Sequence, residues 1–240
     1  MADAVVFDLG GVLLDWNPRY LYRKLFTDPG EMEDFLACVC TSDWHLAHDL
    51  GEDITASCER LAREHPGYRE AIMAWAERGE EMLAGQFDEN VQLLAEVKAT
   101  GVRCLALSNM EPELYELRRA SFAFMSWFDG CVISGLEGVA KPDRKIFEIL
   151  LDRYRLAPER TVFTDDSPAN IEAASALGIR AVQYTSPRQL RDDFSRLGLL
   201  PAAGTVPAPA PAPAAETAPP AETAPAARPA PSAGPTPSAG

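Results

Sequence analysis

Five short apolar runs (4–9, 102–107, 130–133, 161–164 and 180–184) recur along the chain, and helix-like stretches fill the intervals between them. That alternation constrains the fold more than any other feature. Apolar runs of this length read as buried strands. Strands that alternate with helices pair through crossovers, which gives a parallel sheet with helices on both faces. Helical spacing shows in Val91, Leu94, Ala95 and Val97, and again in Ile146, Phe147, Ile149, Leu150 and Leu151. Pro112 suits a first helical turn, Gly178 a stop after 169–177, and Ser186 an N-cap before 187–197.

One stretch breaks the rhythm. Residues 16–85 read as consecutive helices (18–26, 31–40, 55–64 and 68–83), too long a connection for a simple crossover. The expected organisation is therefore an α/β core of 1–15 and 86–200, an inserted helical cap of 16–85 just after the first strand, and a tail of 201–240. The tail is almost entirely Pro, Ala, Thr, Ser and Gly and repeats AETAP at 215–219 and 221–225. It has little to bury, so ordering entropy dominates, and a disordered, extended spacer is expected.

The formal net charge of -14 over 240 residues repels nucleic acid and anionic lipid, so neither is an expected partner. Five cysteines without framework spacing read as reduced thiols of a cytoplasmic protein. The strand-like run is under way by Val5, which leaves no room for a signal peptide, and no apolar stretch approaches the ~20 residues of a membrane span. A protein this acidic can hold an anionic substrate only through locally gathered positive charge or a metal.

In a parallel sheet, ligands bind beyond the carboxyl ends of the strands. The first run ends in Asp8, followed by Gly10 and Gly11, and the second in Ser108 and Asn109. After the third come Gly135, Glu137, Gly138, Lys141 and Pro142; the fourth ends in Thr164, Asp165, Asp166 and Ser167, with Asn170 soon after. Each group alone has a plainer reading as a turn, a helix cap or a surface loop. Together, in order, they fall on one edge of the sheet. Asp8, Asp165 and Asp166 cannot all ionise in a partly dry cleft without a counter-charge, and oxygen-only donors favour Mg²⁺. Lys141 adds a fixed positive charge, and Ser108 and Asn109 offer hydrogen bonds to phosphate oxygens. The set fits in-line attack by Asp8 on a phosphate ester to give an aspartyl-phosphate.

The segments VVFDLGGVL, LALSNM, GLEGVAKPDRKIF and VFTDDSPANIEAA resemble the four ordered motifs of the haloacid dehalogenase superfamily, over about residues 4–184. The resemblance implies a Rossmann-like core, an aspartyl-phosphate mechanism, Mg²⁺ as cofactor and a small phosphorylated metabolite as substrate. By motif position, Asp8 resembles the nucleophile and a metal ligand, and Gly10 would lend its backbone carbonyl to the metal. Ser108 and Asn109 would hold the phosphate, and Lys141 would neutralise the phospho-aspartate. Asp166 resembles the acidic metal ligand, with Asp165 beside it and Asn170 in support. DLGGV together with DDSPANIEAA looks closest to a bacterial sugar-phosphatase subgroup typified by α-D-glucose-1-phosphate phosphatase.

One departure matters. Most phosphatases of the superfamily carry a second Asp two residues after the nucleophile, which protonates the leaving group and later activates water. Here that position is Gly10. Losing a general acid costs ~10²–10⁴-fold in rate. Two compensations are open: substrates with good leaving groups, such as anomeric sugar phosphates or acyl phosphates, or a proton from the cap, with His48 or Asp49 as donors. Both lie in TSDWHLAHDLGEDI (41–54), which holds two of the three histidines. Gly51 argues that this segment is a loop, which reads either as facing the site and shaping the substrate pocket or as ordinary polar surface. Leu50 is a smaller departure, since the matching position of the subgroup is often basic. His45 and His48 would share one face of a helix, but zinc lacks a third ligand there. Trp44 and Trp75 read as the cap's core ahead of the alternative, platforms on which a sugar ring stacks.

Two other functions compete. A metal-independent 2-haloacid dehalogenase shares the nucleophilic Asp but gains nothing from Asp165 and Asp166. A catalytically idle binding or regulatory module fits Gly10 and the long tail but has no need of Asp8, Lys141 and Asp166 together.

Overall fold

A computed structural model describes residues 2–200, and the tail expected at 201–240 lies outside the described residues. In chain order the first elements are β1 (Ala4–Phe7), β2 (Leu14–Trp16), α1 (Arg19–Tyr22), α2 (Pro29–Cys38), α3 (Ser42–Asp49), α4 (Ile54–Glu64), α5 (Arg69–Arg78) and β3 (Leu83–Gln86). There follow α6 (Asp88–Ala99), β4 (Arg103–Ser108), α7 (Pro112–Ser121), β5 (Gly130–Ile133), α8 (Ser134–Glu137), α9 (Arg144–Tyr154), β6 (Thr161–Asp165), α10 (Pro168–Ala176), β7 (Arg180–Gln183) and α11 (Pro187–Arg196).

The five expected strands form one parallel sheet of order β5-β4-β1-β6-β7, so β1 is its middle strand. Alternation along β1 fills both faces. Val5 and Phe7 pack with Leu94 and Val97 of α6 and Phe194 of α11. Ala4 and Val6 point the other way, onto Ile146, Phe147 and Leu150 of α9. Burial on both sides is why these strands read as continuous apolar runs rather than as alternating ones. The expected α/β class, a parallel sheet with helices on both faces, is the observed one. Strand limits shift slightly. Leu9 is buried in the turn after β1 instead of extending the strand, while Ser108 and Asp165 are the last paired residues of β4 and β6.

The helices from α1 to α5 bury a separate apolar cluster that includes Tyr22, Phe35, Leu61, Ile72 and Trp75. The rings of Tyr22 and Phe35 lie 5.0 Å apart, and those of Trp44 and Trp75 5.2 Å apart. Trp75 is buried, and the half-buried Trp44 packs against the same cluster. β2 and β3 pair antiparallel at the root of this helical stretch, with Leu14 opposite Gln86 and Trp16 opposite Leu83. This two-stranded pair leaves almost no trace in the sequence, because its short strands are far apart in the chain and each carries little pattern.

Segment 41–54 is not a loop. Thr41 caps α3 by accepting a hydrogen bond from the Trp44 amide (3.1 Å), and Asp53 caps α4 by accepting from the Ala56 amide (2.6 Å). Gly51, at φ +98°, follows the end of α3 and turns the chain. The glycine stops a helix that the caps had already fixed. The expected helix at 18–26 is regular only over Arg19–Tyr22, and that at 68–83 only over Arg69–Arg78. Ser186 caps α11 as expected, accepting from the Gln189 amide (3.2 Å). No helix among the described residues is long and apolar enough to cross a membrane.

Candidate active site

Parallel register carries the ends of β1, β4 and β6 to one rim. Phe7 pairs with Ala106 on one side and Thr164 on the other, so Asp8 emerges beside Asp165 and near Ser108. The Asp8 amide donates to the Thr164 carbonyl (2.9 Å), and the Leu9 amide donates back to Asp8 Oδ1 (2.7 Å). These bonds aim the carboxylate out of the strand end into a cavity of about 420 Å³.

Lys141 is the hub of the cavity floor. Its Nζ lies 2.8 Å from Asp8 Oδ1 and 2.6 Å from Asp165 Oδ2, and it is almost fully buried. Asn109 holds the loop that carries it: the Asn109 amide donates to the Lys141 carbonyl (2.9 Å) and accepts from the Lys141 N–H (2.8 Å). Asn170 Nδ2 and the Ser167 amide complete the bonding of Asp165, at 2.8–3.0 Å. Both Asp165 oxygens are thereby engaged, and the residue is fully buried. Asp166, by contrast, is exposed and lines the cavity. Gly11 makes room for it. At φ +72°, a β-carbon on Gly11 would fall 2.6 Å from Asp166 Oδ2. Around Gly10 no heavy atom beyond its own chain neighbours lies within 4 Å of where a β-carbon would sit.

Electrostatics on this floor are short of positive charge. Oxygen atoms of Asp8, Asp165 and Asp166 lie within 4.8 Å of one another. Burial pushes the Asp8 carboxyl well above the ordinary range, Asp165 and Asp166 add to the rise, and Lys141 only partly opposes it. Burial and then Asp165 raise Asp166 as well. Lys141 is pulled down by burial, but Asp8 and Asp165 outweigh that and hold it above its usual value. One lysine stands among three carboxylates, and this set of hard oxygen donors could hold a divalent cation such as Mg²⁺.

The rest of the cavity comes from the helical stretch and from α7. Trp16, Asn17, Arg19, His45 and Asp49 line it on one side, Met110, Leu114 and Arg118 on another. Arg118 is buried and held by two hydrogen bonds to Glu80, each 2.7 Å. Of the two histidines in 41–54, His45 lines the cavity and His48 does not. His48 is fully buried, edge-on to the Trp44 ring at 4.3 Å, and neither ring nitrogen has a partner in the described structure. The expectation that His48 reaches the substrate is corrected accordingly. The i, i+4 spacing of α3 puts Trp44 and His48 on its inward stripe and His45 and Asp49 on its cavity stripe. Reading the segment as helix would have paired His45 with Asp49 from sequence.

Burial pushes Asp49 up to about 7, helped by the Glu111 charge and opposed by Lys141. Burial and then His48 bring His45 down to about 4. The 3.9 Å approach of His45 Nε2 to Asp49 Oδ1 is therefore not an ion pair at neutral pH. The five cysteines carry no disulfide, and Cys40, Cys58 and Cys104 are buried among apolar neighbours away from this cavity.

Comparison with known proteins places this geometry. A sesquiterpene phosphatase of Aspergillus oryzae is 27% identical over 183 residues, covering 76% of this chain and 89% of its own. A phosphorylated carbohydrates phosphatase of Thermotoga maritima is 27% identical over 196 residues, covering 75% and 83%. The fold is shared with an Asp12Ala mutant of a HAD family enzyme from Bacteroides thetaiotaomicron, solved in complex with magnesium and inorganic phosphate. That likeness has a TM-score of 0.58 at 20% identity and covers 77% of this chain and 95% of the other. A family model described as haloacid dehalogenase-like hydrolase matches residues 2–178, and with that match spanning four of the five strands and the ends of β1, β4 and β6, the chain belongs to the haloacid dehalogenase-like hydrolase family.

Proposed function

We propose that this hydrolase is a Mg²⁺-dependent phosphatase that cleaves a small phosphomonoester through an aspartyl-phosphate on Asp8. The observation that carries the reading is the cavity floor: three carboxylates within 4.8 Å and a single buried lysine bridging two of them. Asp8, Asp166 and the Gly10 carbonyl would hold the metal. Asp165, saturated by Lys141, Asn170 and Ser167, is better suited to fixing Lys141 than to binding a cation. When bound, Mg²⁺ supplies positive charge to the phosphate oxygens.

The chain's own groups do the rest. Asp8 attacks phosphorus in line, and the bond from phosphorus to the ester oxygen breaks. Lys141 keeps Asp8 oriented and balances charge that builds on the transferring group. The Ser108 hydroxyl, with only a 3.5 Å contact to the Asn109 carbonyl, is free to donate to a phosphate oxygen. Asn109 is mostly spent on the Lys141 loop and offers one remaining side-chain N–H. Water then attacks the phospho-aspartate and releases phosphate. The phosphatase names of both relatives support this reading, the carbohydrate phosphatase favours sugar phosphates as the substrate class, and the magnesium complex supports the metal.

The absence of a carboxylate at Gly10 favours one other reading, a metal-independent 2-haloacid dehalogenase. Hydrolysis of p-nitrophenyl phosphate, with and without Mg²⁺, separates the two. Turnover that requires Mg²⁺ and is lost in Asp8→Asn is expected. Chloride release from 2-chloropropionate in chelator, with no phosphate release in Mg²⁺, would reverse the assignment.

A further inference from the structure

Ester hydrolysis at this site needs a proton on the departing oxygen, and the position two residues after Asp8 cannot give one, because Gly10 has no side chain. The ionisable groups lining the cavity are few. Asp8, Lys141 and Asp166 are committed to the floor, and Arg19 and Arg118 do not release protons at neutral pH. His45 and Asp49 remain, side by side on the cavity stripe of α3.

Asp49 is placed with more precision than a surface residue on a helix end would be. Its backbone carbonyl accepts a hydrogen bond from the buried Ser134 hydroxyl (2.6 Å), and that same hydroxyl accepts from the Met110 amide (2.9 Å). One side chain at the end of β5 thus ties the end of α3 to the segment that follows Ser108 and Asn109. The Asp49 carboxyl is about nine-tenths buried and feels the charges of Lys141 and Glu111. We infer that Asp49 is the residue that protonates the leaving oxygen and then accepts the proton of the attacking water, in place of the side chain that Gly10 lacks. The inference rests on the phosphatase reading above.

The steps balance. Asp8 Oδ forms a bond to phosphorus as the ester P–O bond breaks, and the proton of the Asp49 carboxyl passes to the departing oxygen, giving the free alcohol. Water then adds to phosphorus, its proton returns to the Asp49 carboxylate, and the bond from Asp8 to phosphorus breaks to release phosphate. His45, held near 4 by burial and by His48, stays neutral and cannot serve as the donor at pH 7. Asp49, pushed up to about 7, retains a useful protonated fraction there and is basic enough to take a proton back.

The test is the dependence of kcat/KM on leaving-group acidity, with p-nitrophenyl, phenyl and benzyl phosphates and Mg²⁺ present. In the natural protein the dependence is expected to be shallow. Asp49→Asn should lose about 10²–10⁴-fold on benzyl phosphate and much less on p-nitrophenyl phosphate, whose phenolate leaves unaided. Asp49→Glu should recover part of the benzyl activity. Gly10→Asp in the Asp49→Asn background should also recover it, because the space beside Gly10 is open. Equal losses on all three esters in Asp49→Asn, or no loss on benzyl phosphate, would overturn the role of Asp49 while leaving the phosphatase reading intact. Absence of Asp8-dependent turnover of any of the three esters would overturn both.

Discussion

Two adjacent glycines do different work beside the candidate nucleophile. Gly11 sits at φ +72° against the Asp166 carboxylate, whereas Gly10 has open space and no left-handed backbone. Gly11→Ala meets both penalties. A left-handed non-glycine residue costs about 1–2 kcal/mol, and the new methyl displaces Asp166. Denaturant melts should show that loss of stability, and the Mg²⁺ concentration for half-maximal phosphatase activity should rise about 10–100-fold, as for other disturbed ligand supports. Gly10→Ala should stay within about 0.5 kcal/mol of the natural protein. Equal stability of the two variants would show that Gly11 is not constrained as described. Of the residues that sequence reading brought forward, Asp8, Ser108, Lys141 and Asp166 all reach the cavity because strand ends are legible in a sequence. His48 does not, because which way a helical side chain turns depends on what the helix packs against.

At the scale of elements, α3 joins the helical cluster to the cavity. Trp44 and His45 both pack on Trp75, His45 and Asp49 line the cavity, and the titration of these two groups should show in the stability of the fold. Between pH 3.8 and about 7 the folded protein keeps an Asp49 proton that the unfolded chain has released, so this group makes stability fall as pH rises through that window. His45 acts in the opposite sense. Between about 4 and 6.5 the unfolded chain binds a proton that the folded imidazole refuses, so stability rises with pH. The two slopes nearly cancel. Relative to the natural protein, Asp49→Asn should gain stability steadily from pH 4.5 to 6.5 by about 1–3 kcal/mol, and His45→Gln should lose it over the same range. Urea midpoints at several pH values give both curves. Parallel curves for all three proteins would mean that neither group is held as described. The bonds from Arg118 to Glu80 link α7 to the turn just before β3, a second tie between the helical stretch and the cavity that sequence could not show, since 38 residues separate the partners.

At the scale of the whole molecule, the cavity floor should couple metal binding to folding, because its carboxylates converge only in the folded sheet. Mg²⁺ at about 100 times its Kd should stabilise the protein by about 2.7 kcal/mol, a rise in Tm of roughly 5–10 °C for a folded body of this size. The shift should vanish in Asp166→Asn; a shift of the same size in that variant would remove Asp166 from the metal site. The sequence by itself determined the parallel sheet and the gathering of Asp8, Ser108, Lys141 and Asp166 at one rim. Strand burial and crossover topology follow from apolar pattern and chain connectivity, which are local properties. Tertiary structure alone decided the antiparallel pairing of β2 with β3, the saturation of Asp165, the diversion of Asn109 to the Lys141 loop, and the burial of His48 away from the cavity that His45 and Asp49 line. Each of those depends on which distant backbone or side chain supplies a hydrogen bond or takes up packing space, and no short stretch of sequence carries that information.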